Sequence, residues 1–120
     1  MEKKYNRVLL KLSGESLTCD EKKGINFDIV ETFCKSIKKC VDAGVQVAIV
    51  VGGGNFWRGR SSGKMDRTRA DHMGMLATTI NALGVGDTLE QEGVDVRVMT
   101  AISMPQVSDS PDNLRRTRLY

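Results

Sequence analysis

Two short apolar segments constrain the fold of this chain more than any other feature of its sequence. Residues 7–12 and 45–51 are almost unbroken runs of aliphatic side chains. Runs of this length and composition are typical of strands that are buried on both faces of a parallel sheet. The stretch between them, residues 28–43, carries apolar side chains at helical spacing. Together these segments predict a β-α-β unit with a right-handed crossover.

Capping residues mark the ends of the predicted first helix. Asn26 or Asp28 is expected to cap its start, because short polar side chains accept hydrogen bonds from the first free N–H groups of a helix. The helix is expected to run to about Ala43, with Gly44 just past its end.

A second helix and a third strand are predicted in the remainder of the chain. The helix starts at about Asp66, weakens at the glycines of residues 84–86 and resumes for a turn or two before Gly93. The apolar residues that share one of its faces are Met73, Leu76, Ala77, Ile80 and Leu83. A third strand is expected over residues 94–101.

This order of elements predicts an α/β fold, a parallel sheet flanked by helices that is truncated after about the third strand. Residues 1–107 are expected to form one structural unit. Residues 108–120 are turn-rich at first and develop no apolar face, so they are interpreted as a divergent tail.

Composition excludes several classes of protein. With 120 residues, 40% of them hydrophobic and 28% charged, the chain is expected to be soluble and globular. A net charge of +3 is too small to suggest a partner among nucleic acids or membrane surfaces. No apolar run approaches the roughly 20 residues of a membrane span, and the N-terminus does not resemble a secretory signal. We therefore expect a cytoplasmic protein.

The cysteines and the histidine argue against disulfides and a protein-held metal. Cys19, Cys34 and Cys40 are odd in number and form no Cys-x-x-Cys pair, which favours reduced thiols. Cys34 lies on the apolar stripe of the first helix and is expected in the core. His72 is the only histidine, so a multi-histidine metal site is excluded within one chain.

Charged and glycine-rich residues follow both predicted strands, at the edge where open α/β sheets bind ligands. They are Lys11, Ser13 and Gly14 after the first strand, and Gly52, Gly53, Gly54, Asn55 and Arg58 after the second. Adjacent glycines permit unusual backbone angles and leave bare N–H groups that can cradle an anion. A lysine and an arginine beside such a loop suggest phosphate handling.

Ordinary structural explanations stay open for each of these features. The glycines are also compatible with a simple turn, Lys11 with a strand-end residue whose stem packs on the sheet, and Asp71 with a surface acid. A Gly-x-Gly-x-x-Gly fingerprint fails at Trp57, and residues 59–64 are one residue too short for a P-loop. The residues alone therefore indicate an α/β domain with a phosphate-binding edge.

Three stretches together resemble the N-terminal part of the bacterial uridylate (UMP) kinase family, within the amino-acid-kinase superfamily. They are YNRVLLKLSGE at 5–15, GVQVAIVVGGGN at 44–55 followed by Arg58 and Gly59, and DHMGMLAT at 71–78 followed by INAL at 80–83. The resemblance runs from about Tyr5 to Val107 in the order and spacing of the family.

This resemblance implies transfer of the γ-phosphoryl group of ATP to UMP, giving UDP and ADP in pyrimidine nucleotide biosynthesis, with Mg²⁺ carried by the nucleotide. By position, Lys11 and Arg58 match the catalytic residues of the family. The residues that match its ATP-binding positions are Lys11, Leu12, Ser13, Gly14, Gly54 and Arg58, and those that match its UMP-binding positions are Gly53 and Asp71.

The resemblance also implies a homo-oligomer, a hexamer with dimer contacts through the helix of residues 73–83. The second half of the family, which holds a Gly-Thr-Gly-Asn-Pro-Phe-Phe-Thr-Thr segment and most of the ATP nucleoside site, has no counterpart in this sequence. We therefore expect the 120-residue chain alone to be a weak or inactive kinase. Two alternatives stay open: a non-catalytic nucleotide- or anion-binding oligomerising domain, and a superfamily member that phosphorylates a carboxylate or carbamate.

Overall fold

The computed structural model describes residues 4–18, 23–57 and 63–109. Along the chain it contains strand β1, a short 3-10 helix, helix α1, strand β2 and helix α2. Their bounds are Arg7–Leu12, Gly14–Leu17, Phe27–Asp42, Gln46–Val51 and Arg67–Gln91. This order confirms the predicted β-α-β unit and the predicted second helix.

The two strands are parallel and end level with each other. The register runs from the pair Arg7 and Gln46 to the pair Leu12 and Val51. Beyond the last pair, the Gly52 N–H still donates to the Leu12 carbonyl, at 2.8 Å. The two loops that leave the carboxyl ends of the strands therefore start side by side, as the sequence predicted.

Helix α1 begins and ends at residues that the sequence indicated. Asn26 is the N-cap, and its side chain accepts hydrogen bonds from the N–H groups of Asp28 and Ile29. The helix ends before Ala43, and Gly44 follows with a φ of 91°, a conformation that glycine adopts without strain.

Helix α2 runs without interruption through its three glycines, Gly74, Gly84 and Gly86. Asp66 caps it by accepting a hydrogen bond from the Arg69 N–H, and Gly93 follows its end with a φ of 85°. A β-carbon added to Gly86 would lie 2.8 Å from Cγ2 of Val98. The glycine that weakens the helical pattern therefore makes room for the segment that packs across the helix.

The predicted apolar face of α2 is largely exposed. Of its five residues only Ala77 is buried, and the side chains that stay between 36% and 47% exposed are Met73, Leu76, Ile80 and Leu83. The buried face is adjacent to the predicted one on the helix, and it includes Ala70, Ala77, Asn81, Val85 and Leu89. Helix α2 is thus apolar on two faces, and one of them has no partner among the described residues.

The third strand predicted over residues 94–101 is wrong. Among the described residues the sheet holds only β1 and β2, and residues 94–101 contribute one isolated bridge, from Met99 to Asp109. An apolar cavity of about 180 Å³ is lined by residues of β2, of both helices and of the segment 94–99. Within this segment, Val94 and Val96 pack against the core.

The expectation that both strands are buried on both faces is also wrong. Leu12 and Val51 join α1 and α2 in a single core, whose buried members from the two helices are Val30, Cys34, Ile37, Val85 and Leu89. On the opposite face, Leu9 is 65% exposed and Val50 is 51% exposed. In the described part of the chain both helices lie on one side of the sheet.

Among the described residues, no helix combines the length and the apolar character that crossing a bilayer requires. Cys34 and Cys40 are free thiols, and Cys34 is buried in the core as predicted. Burial, and secondarily the negative charge of Glu92, raise the pKa of the Cys34 thiol to about 11.

Candidate phosphate-binding site

The two loops that follow the strands are in direct contact. A β-carbon added to Gly14 would lie 2.5 Å from the backbone nitrogen of Gly54 and 2.6 Å from Oδ1 of Asn55. Any side chain at position 14 would push the loops apart, so the glycine is required by their close approach. The structure therefore brings together the candidate residues that the sequence placed after each strand.

The first loop forms an open depression with a cationic rim. Lys11, Ser13 and Gly52 line it, together with the apolar side chains of Phe33 and Val50. Lys11 is exposed at the end of β1, and no ion pair of its ammonium group occurs within the described ranges. Its charge is therefore available to an anion that enters the depression.

Ser13 shapes this loop by capping the short 3-10 helix. Its Oγ accepts a hydrogen bond from the Ser16 N–H at 3.3 Å, and the Ser16 hydroxyl donates to the Ser13 carbonyl at 2.6 Å. These two bonds turn the chain sharply after β1, so Gly14 faces the second loop.

The second loop rests on helix α2. A β-carbon added to Gly53 would lie 2.9 Å from Cβ of Ala77 and 3.0 Å from the nitrogen of Thr78. The sequence suggested that these glycines adopt unusual backbone angles. In the structure, positive φ occurs at other described glycines and not at residues 52–54. Close packing against α2 and against the first loop is the reason for glycine here.

Bare amides are a feature of the second loop. Within the described part of the chain, the N–H groups of Gly53 and Gly54 have no protein acceptor. Adjacent N–H groups without protein acceptors are able to donate to the oxygens of an anion. The loop can therefore bind phosphate oxygens through its backbone.

The remaining predicted residues lie on or near the first turns of α2. Asp71 is exposed and its Oδ1 lies 3.6 Å from Nε of Arg67. Trp57 donates its indole N–H to the Ala70 carbonyl at 2.9 Å, so it anchors the loop to α2. Arg58 lies outside the described residues.

Sequence reasoning assigned no role to Asn81, whose side chain bonds the second loop to helix α2. Its side chain is fully buried and bonds to the side chain of Asn55 and to the Gly52 carbonyl. A polar residue four positions after Ala77 and four before Val85, on the buried face of a helix, was the available signal. As for metals, the described residues contain no group of three or more His, Cys, Asp or Glu side chains able to hold one.

Comparison with known proteins places this arrangement in a family. The sequence model of the amino acid kinase family matches residues 6–119. The solved structure of UMP kinase from Bacillus anthracis is 38% identical, with a TM-score of 0.85, over 93% of this chain and 47% of that one. UMP kinase from Ureaplasma parvum is 33% identical, with a TM-score of 0.82, over 94% of this chain and 49% of that one. The chain, which spans about half the length of these two kinases, belongs to the amino acid kinase family.

Proposed function

We propose that this chain is part of a UMP kinase, which transfers the γ-phosphoryl group of ATP to UMP and releases UDP and ADP. The observation that carries the proposal is the contact between the loops of Gly14 and Gly54, at the carboxyl ends of two parallel strands and beside Lys11. The similarity to two UMP kinases supports the choice of substrates.

The first loop is proposed to hold the phosphates of ATP. Lys11 supplies a positive charge, and the backbone from Leu12 to Gly14 and the N–H of Gly54 supply hydrogen-bond donors. Phosphoryl transfer passes through a loose transition state whose charge spreads over the phosphoryl oxygens, so fixed positive groups are the main catalytic contribution. Mg²⁺ is proposed to arrive bound to the phosphates of ATP.

UMP is proposed to bind on the α2 side of the second loop. The N–H of Gly53 donates to its phosphate, Arg58 positions the phosphates, and the Asp71 carboxylate accepts hydrogen bonds from ribose hydroxyls. The exposed ion pair between Asp71 and Arg67 is weak, so a bound ribose can replace it at little cost.

The chain alone is proposed to be a weak or inactive kinase. Its proposed location is the cytoplasm. The site is an open depression, and one face of the sheet carries exposed Leu9 and Val50. Phosphoryl transfer depends on holding both substrates in line, and an open site fixes them poorly.

Oligomerisation is the second part of the proposal. The exposed apolar side chains of α2, which are Met73, Leu76, Ile80 and Leu83, form a stripe suited to packing against a second copy. The same stripe also favours the alternative function, a non-catalytic nucleotide- or anion-binding domain that works by oligomerising.

A thermal melt with UMP or Mg-ATP tests the proposal, because a ligand that binds only the folded chain raises its melting temperature. We expect both nucleotides to raise the midpoint, whereas uridine, which lacks the phosphate, does not. Lys11→Ala should reduce the shift caused by Mg-ATP, and the control Lys35→Ala, on the exposed side of α1, should not. A midpoint indifferent to both nucleotides would contradict the proposal.

ADP release measured with UMP and Mg-ATP together tests for kinase activity directly. A UMP-dependent release that Lys11→Ala abolishes supports the kinase. Nucleotide binding without any release is expected both of the binding domain and of a kinase that is inactive in this chain alone, so it does not decide between them.

A further inference from the structure

Asn81 is a polar residue in an apolar setting. It is fully buried in the middle of α2, between Ala77 one turn before it and Val85 one turn after it. Burying an amide without hydrogen bonds is costly, so its partners explain its presence there.

The Asn81 amide pairs reciprocally with the Asn55 amide. Nδ2 of Asn81 donates to Oδ1 of Asn55 at 2.6 Å, and Nδ2 of Asn55 donates back to Oδ1 of Asn81 at 3.0 Å. The second hydrogen of each amide goes to a backbone carbonyl: Asn81 donates to Gly52 and Asn55 to Gly24, both at 2.7 Å. All four amide hydrogens are therefore used.

These bonds hold the second loop at both of its ends. Gly52, the first residue after β2, is bonded through its N–H to Leu12 and through its carbonyl to Asn81. Asn55 is bonded through its side chain to Asn81 and through its carbonyl to the Gly24 N–H, at 3.1 Å. Between these fixed points lie Gly53 and Gly54, whose N–H groups have no acceptor in the described part of the chain.

We propose that Asn81 is a positioning residue for phosphate binding: its amide fixes the ends of the loop and so holds the Gly53 and Gly54 N–H groups ready for a nucleotide phosphate. Asn81 itself touches no substrate and acts through Gly52 and Asn55. This inference deepens the proposed function and rests on it for the identity of the ligand.

The test compares Asn81→Leu, which keeps the size of the side chain and removes its hydrogen bonds, with Thr88→Val. Thr88 is a suitable control because it is also buried in α2, but its hydroxyl donates only to the Gly84 carbonyl of the same helix. Both variants are expected to lower the melting temperature. UMP affinity is then measured by titration calorimetry at a temperature where both variants are fully folded.

We expect Asn81→Leu to weaken UMP binding at least about tenfold, the effect of losing one well-made hydrogen-bond network, whereas Thr88→Val binds as wild type does. A merely structural role would lower the melting temperature and leave the affinity of the folded chain unchanged. An unchanged UMP affinity in Asn81→Leu therefore overturns the proposal.

Amide NMR spectra of the ligand-free chain separate this inference from the proposed function. The signals of Gly53 and Gly54 should shift or broaden in Asn81→Leu and stay in place in Thr88→Val. If wild type binds no UMP, the proposed function fails, and these signals still decide whether Asn81 positions the loop. Unchanged signals in Asn81→Leu would overturn the positioning role.

Discussion

Gly53 lies directly against Ala77: a β-carbon placed on Gly53 would stand 2.9 Å from the Cβ of Ala77. This contact packs the loop after β2 against α2. It therefore sets the distance between that loop and the residues of α2 that belong to the candidate site. The neighbouring atoms are a short side chain and helix backbone, neither of which can move aside easily.

We therefore expect Gly53→Ala to destabilise the chain by about 1–3 kcal/mol, the usual result of adding a methyl group to a filled space. Urea denaturation measures the change. Gly74→Ala is the matched control on α2, because its new β-carbon would lie 3.8 Å from Trp57 and meet nothing closer. That substitution should be neutral or stabilising by up to about 1 kcal/mol, since alanine favours helix. Equal stability of Gly53→Ala and wild type would show that the contact is not tight.

The N-terminus of α1 offers a second test, because the sequence allowed either of two caps. In the structure the Asn26 side chain accepts from the N–H groups of Asp28 and Ile29. Asn26→Ala should cost about 1 kcal/mol of unfolding free energy. Asp28→Ala should cost roughly half as much or less, because Asp28 contributes only a negative charge near the helix N-terminus. The reverse order in urea denaturation would identify Asp28 as the cap.

Cys34 gives the stability of the chain a dependence on alkaline pH. Burial, followed by the charge of Glu92, raises the pKa of the thiol from 9.0 to about 11. The unfolded chain therefore ionises first as the pH rises, so this stabilisation is complete below pH 9.0 and is lost progressively towards pH 11. The full loss is on the order of 2 kcal/mol.

Urea denaturation of wild type and Cys34→Ala across this pH range isolates the contribution, because other groups titrate equally in both. The difference in unfolding free energy between the two should shrink as the pH rises. Cys40→Ala is the matched variant, because Cys40 is a second free cysteine of α1 and is only half-buried. A difference between wild type and Cys34→Ala that does not change with pH would refute this assignment.

The local structure of this chain was predictable because local residues determine it. Continuous apolar runs specify β1 and β2, and the caps Asn26 and Asp66 specify where the helices begin. The segment 94–101 was not predictable in this way. Its valines can pack against the core as well as form part of a strand. Which of the two occurs depends on where the rest of the folded chain lies.

The residues of the candidate site could be predicted from the sequence, but the hydrogen bonds that hold its second loop could not. Glycines after two parallel strands indicate where the loops meet, since the carboxyl ends of such strands share an edge. The role of Asn81 could not be predicted for a different reason: its partner Asn55 lies 26 residues away, and nothing local in α2 distinguishes a bonded amide from a solvated one. Hydrogen-bond networks between segments that are distant in sequence become visible only in the folded structure.

The exposed stripe of α2 leads to the last prediction. Ile80 is 47% exposed at the centre of this stripe, whereas Ala77, on the same helix, is only 4% exposed. If the stripe packs against a second copy, Ile80→Lys places a charge in that interface and should shift the chain towards monomer. Its effect on the unfolding free energy of the monomer should stay within about 0.5 kcal/mol, as for other surface substitutions.

Sedimentation velocity over a range of concentrations measures this shift, with Ala77→Lys as the comparison. Ala77→Lys should unfold the chain, because the lysine would be forced against Gly53 and the core. Loss of association in Ile80→Lys with an unchanged urea midpoint locates the interface on the exposed stripe. A wild-type chain that sediments as a monomer at every concentration, or an Ile80→Lys variant that associates as wild type does, would show that α2 is not where two copies meet.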